Sequence, residues 1–407
     1  MSNYSLLSVL GIEIEYMLVD RHTLNVQPKS DIILNCLAGE PVSNVALEDI
    51  TVSNGLVLHV LELKNNALKP PEAPITNQFQ QTILQLQPLL QQYNLQLLPT
   101  GAHPWMDPLT ETKRWSHGNR SIDQQYDTIF NCQGHGWSNL QSMNVNLPFA
   151  NDEEFFHLHN SIRLLLPLIP SLAASTPFLD GHSTGCQDSR LYFYGKNHER
   201  IPSISGDIIP EFIRSSSQYQ DNILTPMYHD ISPFDPQKIL QHEWLNSRAA
   251  IPKFQDQTIE IRIIDSQECV TADVAIARAI HAILKQWNQN SHLHLEKICD
   301  TPRLKSIYTQ TIKNGLATCI DDSVVLEQWQ LPKRTMTARD AWSMLLESVA
   351  HDLDNTSQLA LEHILRHNNL SERILHACQG DYTRPNLTRV YRQLGDCLVD
   401  NQQLQSS

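Results

Sequence analysis

Apolar and polar residues alternate in short runs over the first part of the chain, and side chains two apart on a strand point to one face. In Gly11-Ile12-Glu13-Ile14-Glu15-Tyr16 the two carboxylates share one face, and Ile12, Ile14 and Tyr16 share the other. Ile259-Glu260-Ile261-Arg262-Ile263 repeats the pattern with Glu260 and Arg262, and Met143-Asn144-Val145-Asn146-Leu147 repeats it with two carboxamides. In Leu58-His59-Val60-Leu61-Glu62-Leu63-Lys64, Glu62 and Lys64 share a face with Leu58 and Val60. The runs GIEIEYMLVD, GLVLHVLELK, LQLLPTGAHPW, SMNVNLPF and QTIEIRIIDS therefore predict strands, all of them before residue 270.

Helical periodicity dominates elsewhere. The Gln-rich stretch near 78–96 interleaves apolar residues and predicts an amphipathic helix that Pro88 kinks or divides. Helices are also expected over 153–173 and over 272–288, the latter capped by Thr271. From about residue 335 onward the pattern is helical throughout, with a capping box at Thr337 and Asp340. Strands in one region and helices in another predict an α+β fold, an antiparallel sheet followed by a C-terminal helical layer. The softest boundary, 300–335, separates a core at 1–300 from a helical extension at 301–407.

Composition narrows the choice. Of 407 residues, 41% are hydrophobic and 18% charged, which fits a folded chain, and the formal net charge of −14 argues against nucleic-acid or anionic-membrane surfaces. The apolar stretch Leu164–Pro170 is far too short to span a membrane and holds two prolines. The N-terminal MSNYSLLSVLGIEIEY has no basic segment and reads as no signal peptide. Eight scattered cysteines without a CxxC read as reduced thiols in the cytoplasm. No GxGxxG, GxxxxGK[ST] or HExxH occurs, and 14 glycines leave little material for a phosphate-cradling loop, so metals and arginines would hold any nucleotide.

Each alternating run alone fits a sheet with one wet face. Together they place Glu13, Glu15, Glu62 and Glu260 on one face, where they would repel unless cations neutralised them. Hard oxygen ligands select Mg²⁺ or Mn²⁺, and a pair of such ions suits phosphoryl transfer. His103, in Gly-Ala-His-Pro-Trp, reads as a positioning or packing residue rather than a catalytic one.

In order along the chain, GIEIEYMLVD, VLELKNN, LPTGAHPW, SLAASTPFLDGHSTGCQDSR and WLNSRAAIPKFQDQTIEIRIIDS resemble the type-2 glutamate–cysteine ligases, the carboxylate–amine branch of the glutamine synthetase-like superfamily. The resemblance covers roughly residues 8–290 and implies a curved antiparallel sheet forming a funnel, helices outside it, ATP at one end and divalent metals midway. It makes Glu13 and Glu15 metal ligands. Glu62 joins Glu15 at the ion nearer the amino acid, and Glu260 joins Glu13 at the ion nearer the ATP phosphates. Arg248 and Arg262 would neutralise phosphate or the acyl-phosphate transition state, with Arg248 also binding nucleotide, and Arg190 would hold an anionic group. Asn144 and Asn146 stand where the family has two histidines, one a phosphate-side metal ligand and one a nucleotide contact. Lys64 and Asn65 stand where a small hydroxyl residue is frequent, which weakens cysteine as the amine.

The resemblance implies an ATP-dependent ligase that activates a glutamate-like γ-carboxylate as an acyl phosphate for attack by an amine, using ATP and Mg²⁺ or Mn²⁺. The alternative is an inactive ligand-binding or regulatory protein that kept the fold, motivated by the asparagine pair. Expected partners are small molecules, with no nucleic acid and no membrane; an acidic helical layer able to pack across a two-fold points to a homo-oligomer.

Overall fold

The structure, a computed structural model, describes residues 4–117, 120–289 and 299–405. In chain order its strands before residue 270 are β1 (Gly11–Asp20), β2 (Asn44–Leu47), β3 (Ile50–Asn54), β4 (Val60–Asn65), β5 (Leu95–Leu98), β6 (Ser142–Pro148), β7 (Phe178–Leu179), β8 (His182–Ser183), β9 (Ala250–Lys253) and β10 (Thr258–Asp265). Among the described residues one eight-stranded antiparallel sheet runs β2-β3-β4-β1-β6-β10-β9, with β5 paired to the far half of β1.

The alternation read from the sequence sorts the two faces. Ile12, Ile14, Tyr16, Leu61, Leu63, Met143, Val145, Leu147, Ile259 and Ile261 are fully buried on one side. Each such side chain contributes roughly 1.5–3 kcal/mol by leaving water. Helices cover this face. Val270–Gln289 packs on Ile75–Gln92, Asp152–Leu165 and β6, and Asn355–His367 packs on its other flank. The opposite face carries the polar residues.

Several elements depart from the sequence pattern. Pro88 lies inside the continuous helix Ile75–Gln92 and does not divide it; its missing N–H costs one helical bond, to the carbonyl of Leu84, a residue on the exposed side of the helix. The stretch 153–173 does break, passing from Asp152–Leu165 through a 3₁₀ turn at Leu166–Leu168 into Ile169–Ala173, because Pro167 and Pro170 withhold donors. Thr271 is not an N-cap. It lies within the first turn of Val270–Gln289, and its N–H donates to Oδ1 of Asn401 at 2.9 Å. GLVLHVLELK becomes a strand only from Val60, because the buried His59 side chain turns to the Ser138 carbonyl at 2.8 Å. The β2–β3 edge hairpin has no clear apolar alternation and was not expected.

After residue 300 the chain is helical apart from short connections and a small antiparallel pairing of Cys319–Ile320 with Met336–Thr337, and Thr337 and Asp340 form the capping box. The core that holds Ile12 and Ile14 continues into Leu304, Trp342 and Ile364, so the C-terminal helices share the apolar interior of the sheet. A fully buried ion pair, Arg373 with Glu268, clips the chain end: Glu268 Oε1 also accepts from the Leu404 N–H at 3.2 Å. Among the described residues no helix is long and apolar enough to cross a membrane, and all eight cysteines are free thiols.

Candidate active site

Strand register assembles the polar face. Glu15 stands directly opposite Glu62, Glu13 lies between Lys64 on β4 and Asn144 on β6, and Asn146 lies between Gly11 and Glu260. On β10 the register slips by one residue between Ile261 and Ile264, a β-bulge that falls at Arg262. Glu13, Glu15, Glu62, Asn144, Asn146, Glu260 and Arg262 are thereby brought onto one face.

Side-chain cations offset part of the repulsion among the carboxylates. Lys64 Nζ lies 3.0 Å from Glu62 Oε1, Arg262 Nε lies 2.6 Å from Glu260 Oε1, and Lys253 Nζ contacts Glu260 Oε2. Four carboxylates against three cations leave one net negative charge. Its effect is uneven. Burial, then the Glu260 and Glu62 charges, pushes Glu13 up to about 7. Burial also raises Glu15 and Glu62, partly offset at Glu15 by the Ser142 N–H and hydroxyl, which donate to its Oε2 at 2.8 and 3.2 Å. Burial would raise Glu260 as well, but Arg262 and Lys253 outweigh it and hold that carboxyl below its ordinary value.

The three arginines do different things. Arg262 keeps about a quarter of its side chain exposed on the polar face, with Nη1 on the Asn246 carbonyl at 3.3 Å. Arg248 is held inside the protein. Its guanidinium is 3% exposed and forms a two-pronged pair with Glu211, both contacts at 2.6 Å, while Nη1 donates to Ser203 O and Asn246 Oδ1. It lies against Gly206, where an added Cβ would fall 2.7 Å from Nη2 and the backbone holds φ at +51°. Most of its donors are thus engaged by the protein, and the two that hold Glu211 would have to leave it to reach a phosphate. Arg190 is also buried, paired with Asp265, and Nη1 reaches the Arg262 carbonyl at 3.4 Å, so it holds the β10 backbone behind the site. Its Nη2 has no hydrogen-bond partner.

A cavity of about 410 Å³ opens at the Gly11 end of β1, lined by Gly11, Glu13, Asn65, Asn146, Lys253 and Thr258 among others. Lys253 was not singled out from the sequence, because β9 has no alternating run to mark it. His103 is buried, pushed down to about 3 by burial, and bonded through Nε2 to the Leu24 carbonyl at 2.7 Å, a packing role. Gly181-His182-Ser183-Thr184-Gly185 matches the spacing of a nucleophile elbow, but Ser183 sits on the exposed strand β8 rather than in a strand-to-helix turn.

The profile of the Glutamate-cysteine ligase family 2 (GCS2) matches residues 9–393. The chain belongs to this family. An uncharacterized protein of Archaeoglobus fulgidus is 36% identical over 277 residues, 68% of this chain and 74% of that protein. A putative glutamate–cysteine ligase 2 of Cronobacter sakazakii is 21% identical over 89% of each chain. Another of the same name, from Bradyrhizobium diazoefficiens, is 24% identical over 70% of this chain and 60% of its own length. The solved structure of glutamate–cysteine ligase from Francisella tularensis in complex with AMP superposes with a TM-score of 0.64 at 12% identity, covering 97% of this chain and 90% of that one. The prokaryotic ubiquitin-like protein Pup with its ligase PafA gives 0.50 at 10% identity, covering 95% of this chain and 73% of that one. This GCS2 chain has the glutamine synthetase-like fold of these ligases, an open antiparallel sheet with helices on its apolar face and at its C-terminus.

The two ion positions implied for GCS2 chains fare differently against the donors present. Among the described residues no three His, Cys, Asp or Glu side chains converge as a metal cluster. Glu15 and Glu62 nevertheless suit a hard divalent ion: they oppose each other, burial raises both, and the ion pair on Glu62 uses one oxygen and a lysine that is 40% exposed. Around Glu13, Glu260 and Asn144 the donors are engaged. Both Glu260 oxygens carry cations, Asn144 Oδ1 accepts from the Ser142 hydroxyl at 3.2 Å, and Asn146 turns its amide N–H to Glu13 Oε1 at 2.9 Å. That set does not fit a second ion.

Proposed function

We propose that this chain is an ATP-dependent carboxylate–amine ligase that activates a glutamate-like γ-carboxylate as an acyl phosphate, which an amine then attacks. The observation that carries this reading is the single polar face, where Glu13, Glu15, Glu62 and Glu260 meet Arg262 beside the cavity at the end of β1. Membership of the GCS2 family and the fold shared with two ligases support it.

Glu15 and Glu62 would hold one Mg²⁺ or Mn²⁺ ion, which when bound supplies positive charge to oxygens that gain negative charge in the reaction. Arg262, fixed by Glu260 and by the Asn246 carbonyl, keeps Nη2 for the oxygens of the transferring phosphoryl group. Arg190 positions Arg262 through its backbone carbonyl. Gly11 and Asn146 border the cavity where the nucleotide would lie, a volume within the usual range for small-molecule sites, roughly 300–1,000 Å³. The substrates are small molecules, an amino-acid donor and an amine acceptor.

The decisive assay is ADP release from ATP with Mg²⁺ and a pool of amino acids, with products read by mass spectrometry. Amino-acid-dependent ADP together with an amide product supports the ligase. Nucleotide and amino-acid binding without ADP would replace it with the ligand-binding alternative, which the asparagine pair favours.

A further inference from the structure

Lys253 reaches the site from the short strand β9, opposite Thr258 across the hairpin to β10. Its Nζ contacts Glu260 Oε2 and lies 3.9 Å from Glu13 Oε1. The ammonium thus stands between the two carboxylates to which the family resemblance gives the phosphate-side ion. The same side chain lines the cavity that Gly11, Glu13 and Asn146 border.

The neighbours reinforce that placement. A carboxylate can only accept hydrogen bonds, so the Asn146 amide must present its nitrogen to Glu13, and the positive end of that dipole opposes a metal there. Glu260 has no oxygen left, since Arg262 holds the other one. An ammonium has three donors; Glu260 takes one, and Glu13 at 3.9 Å is an ionic neighbour beyond hydrogen-bond reach, so a donor remains for an oxygen in the cavity. Lysine is a compact point charge of the kind that binds phosphate. Lys64 differs, because the carboxylate it hydrogen-bonds is Glu62 and it does so from a more exposed position.

We propose that Lys253 is a built-in cation that replaces the phosphate-side divalent ion, bridging Glu13 and Glu260 and presenting its free donor to the polyphosphate of the nucleotide. The ligase reading enters only as the reason for a nucleotide in the cavity. The complex then holds one divalent ion, at Glu15 and Glu62, rather than two.

The test counts ions instead of turnover. Wild-type protein is saturated with a non-hydrolysable ATP analogue, and bound Mn²⁺ is measured by equilibrium dialysis and electron paramagnetic resonance. One Mn²⁺ per chain is expected. In excess chelator the wild type should still bind the analogue, and Lys253→Gln should lose that metal-free affinity at least tenfold while gaining a second Mn²⁺ when the metal is restored. Two Mn²⁺ per wild-type chain would overturn the proposal whether or not the variant folds. So would metal-free binding that is absent in the wild type, or unchanged in a Lys253→Gln protein with wild-type circular dichroism. If the ligase reading alone fails, the count and the chelator result stand while amino-acid-dependent ADP is missing.

Discussion

Glu260 and Arg262 meet at 2.6 Å on the polar face of β10, although the register of that strand slips between Ile261 and Ile264. The bulge begins at Arg262, so both side chains of the pair stay on the polar face while Ile263 and Ile264 both enter the core. An extra residue at this point increases local twist and re-aims the side chain.

Arg262→Lys should therefore fail to rescue function, because an ammonium cannot hold Glu260 and a phosphoryl oxygen with one planar fork. A loss of about 10²–10³ in amino-acid-dependent ADP release is expected, the scale of removing one preorganised donor from a transition state. Circular dichroism should stay unchanged. Activity within a few-fold of wild type would make Arg262 structural.

Arg248→Met should act on stability and not on nucleotide. It strands the Ser203 carbonyl and removes both guanidinium contacts of Glu211, and a buried group left without a partner costs roughly 1–3 kcal/mol. Gly206→Ala should destabilise as well, since its Cβ meets the Arg248 guanidinium at a positive φ. Urea unfolding measures both losses. A folded Arg248→Met protein whose ATP-analogue affinity drops tenfold or more would return Arg248 to the nucleotide site.

Glu13 couples the site to pH. Its carboxyl titrates near 7 in the folded chain against an ordinary value of 4.5, so the folded state keeps a proton that the unfolded chain has released. Metal-free stability should fall as pH rises between those values, and that loss should persist above 7. Glu13→Gln removes the charge, so its melting temperature should exceed that of wild type near pH 8 and converge with it near about pH 4. Melting curves in chelator across this range check it, and an offset independent of pH would refute it.

Glu15→Gln and Glu62→Gln should each weaken Mn²⁺ binding to the protein without nucleotide by at least about 10–100-fold, the cost typical of losing even an outer partner of a metal ligand. Glu260→Gln should leave this ion within a few-fold of wild type, because the Lys253 and Arg262 contacts already occupy that side chain. Calorimetric Mn²⁺ titrations distinguish the two outcomes. Equal losses in all three variants would place the ion on the Glu13–Glu260 side as well.

The sequence by itself determined the polar face. A period of two is enough to put Glu13 with Glu15, Glu260 with Arg262 and Asn144 with Asn146, because a strand leaves no other choice once the isoleucines and Val145 are buried. It also determined the helical C-terminal layer and the Thr337–Asp340 cap, which depend on residues within one turn of each other. Tertiary structure decided which cation meets which carboxylate. Arg248 and Arg262 look equivalent as residues, yet one pairs with Glu211 from an irregular segment and the other faces the site. Lys253 reaches Glu260 only because the β9–β10 hairpin fixes their register, and Pro252 and Gln257 around it give no periodic sign of a strand. Local periodicity reports the direction of a side chain relative to its own backbone, whereas ion pairing depends on distances between segments, which exist only after the chain has folded.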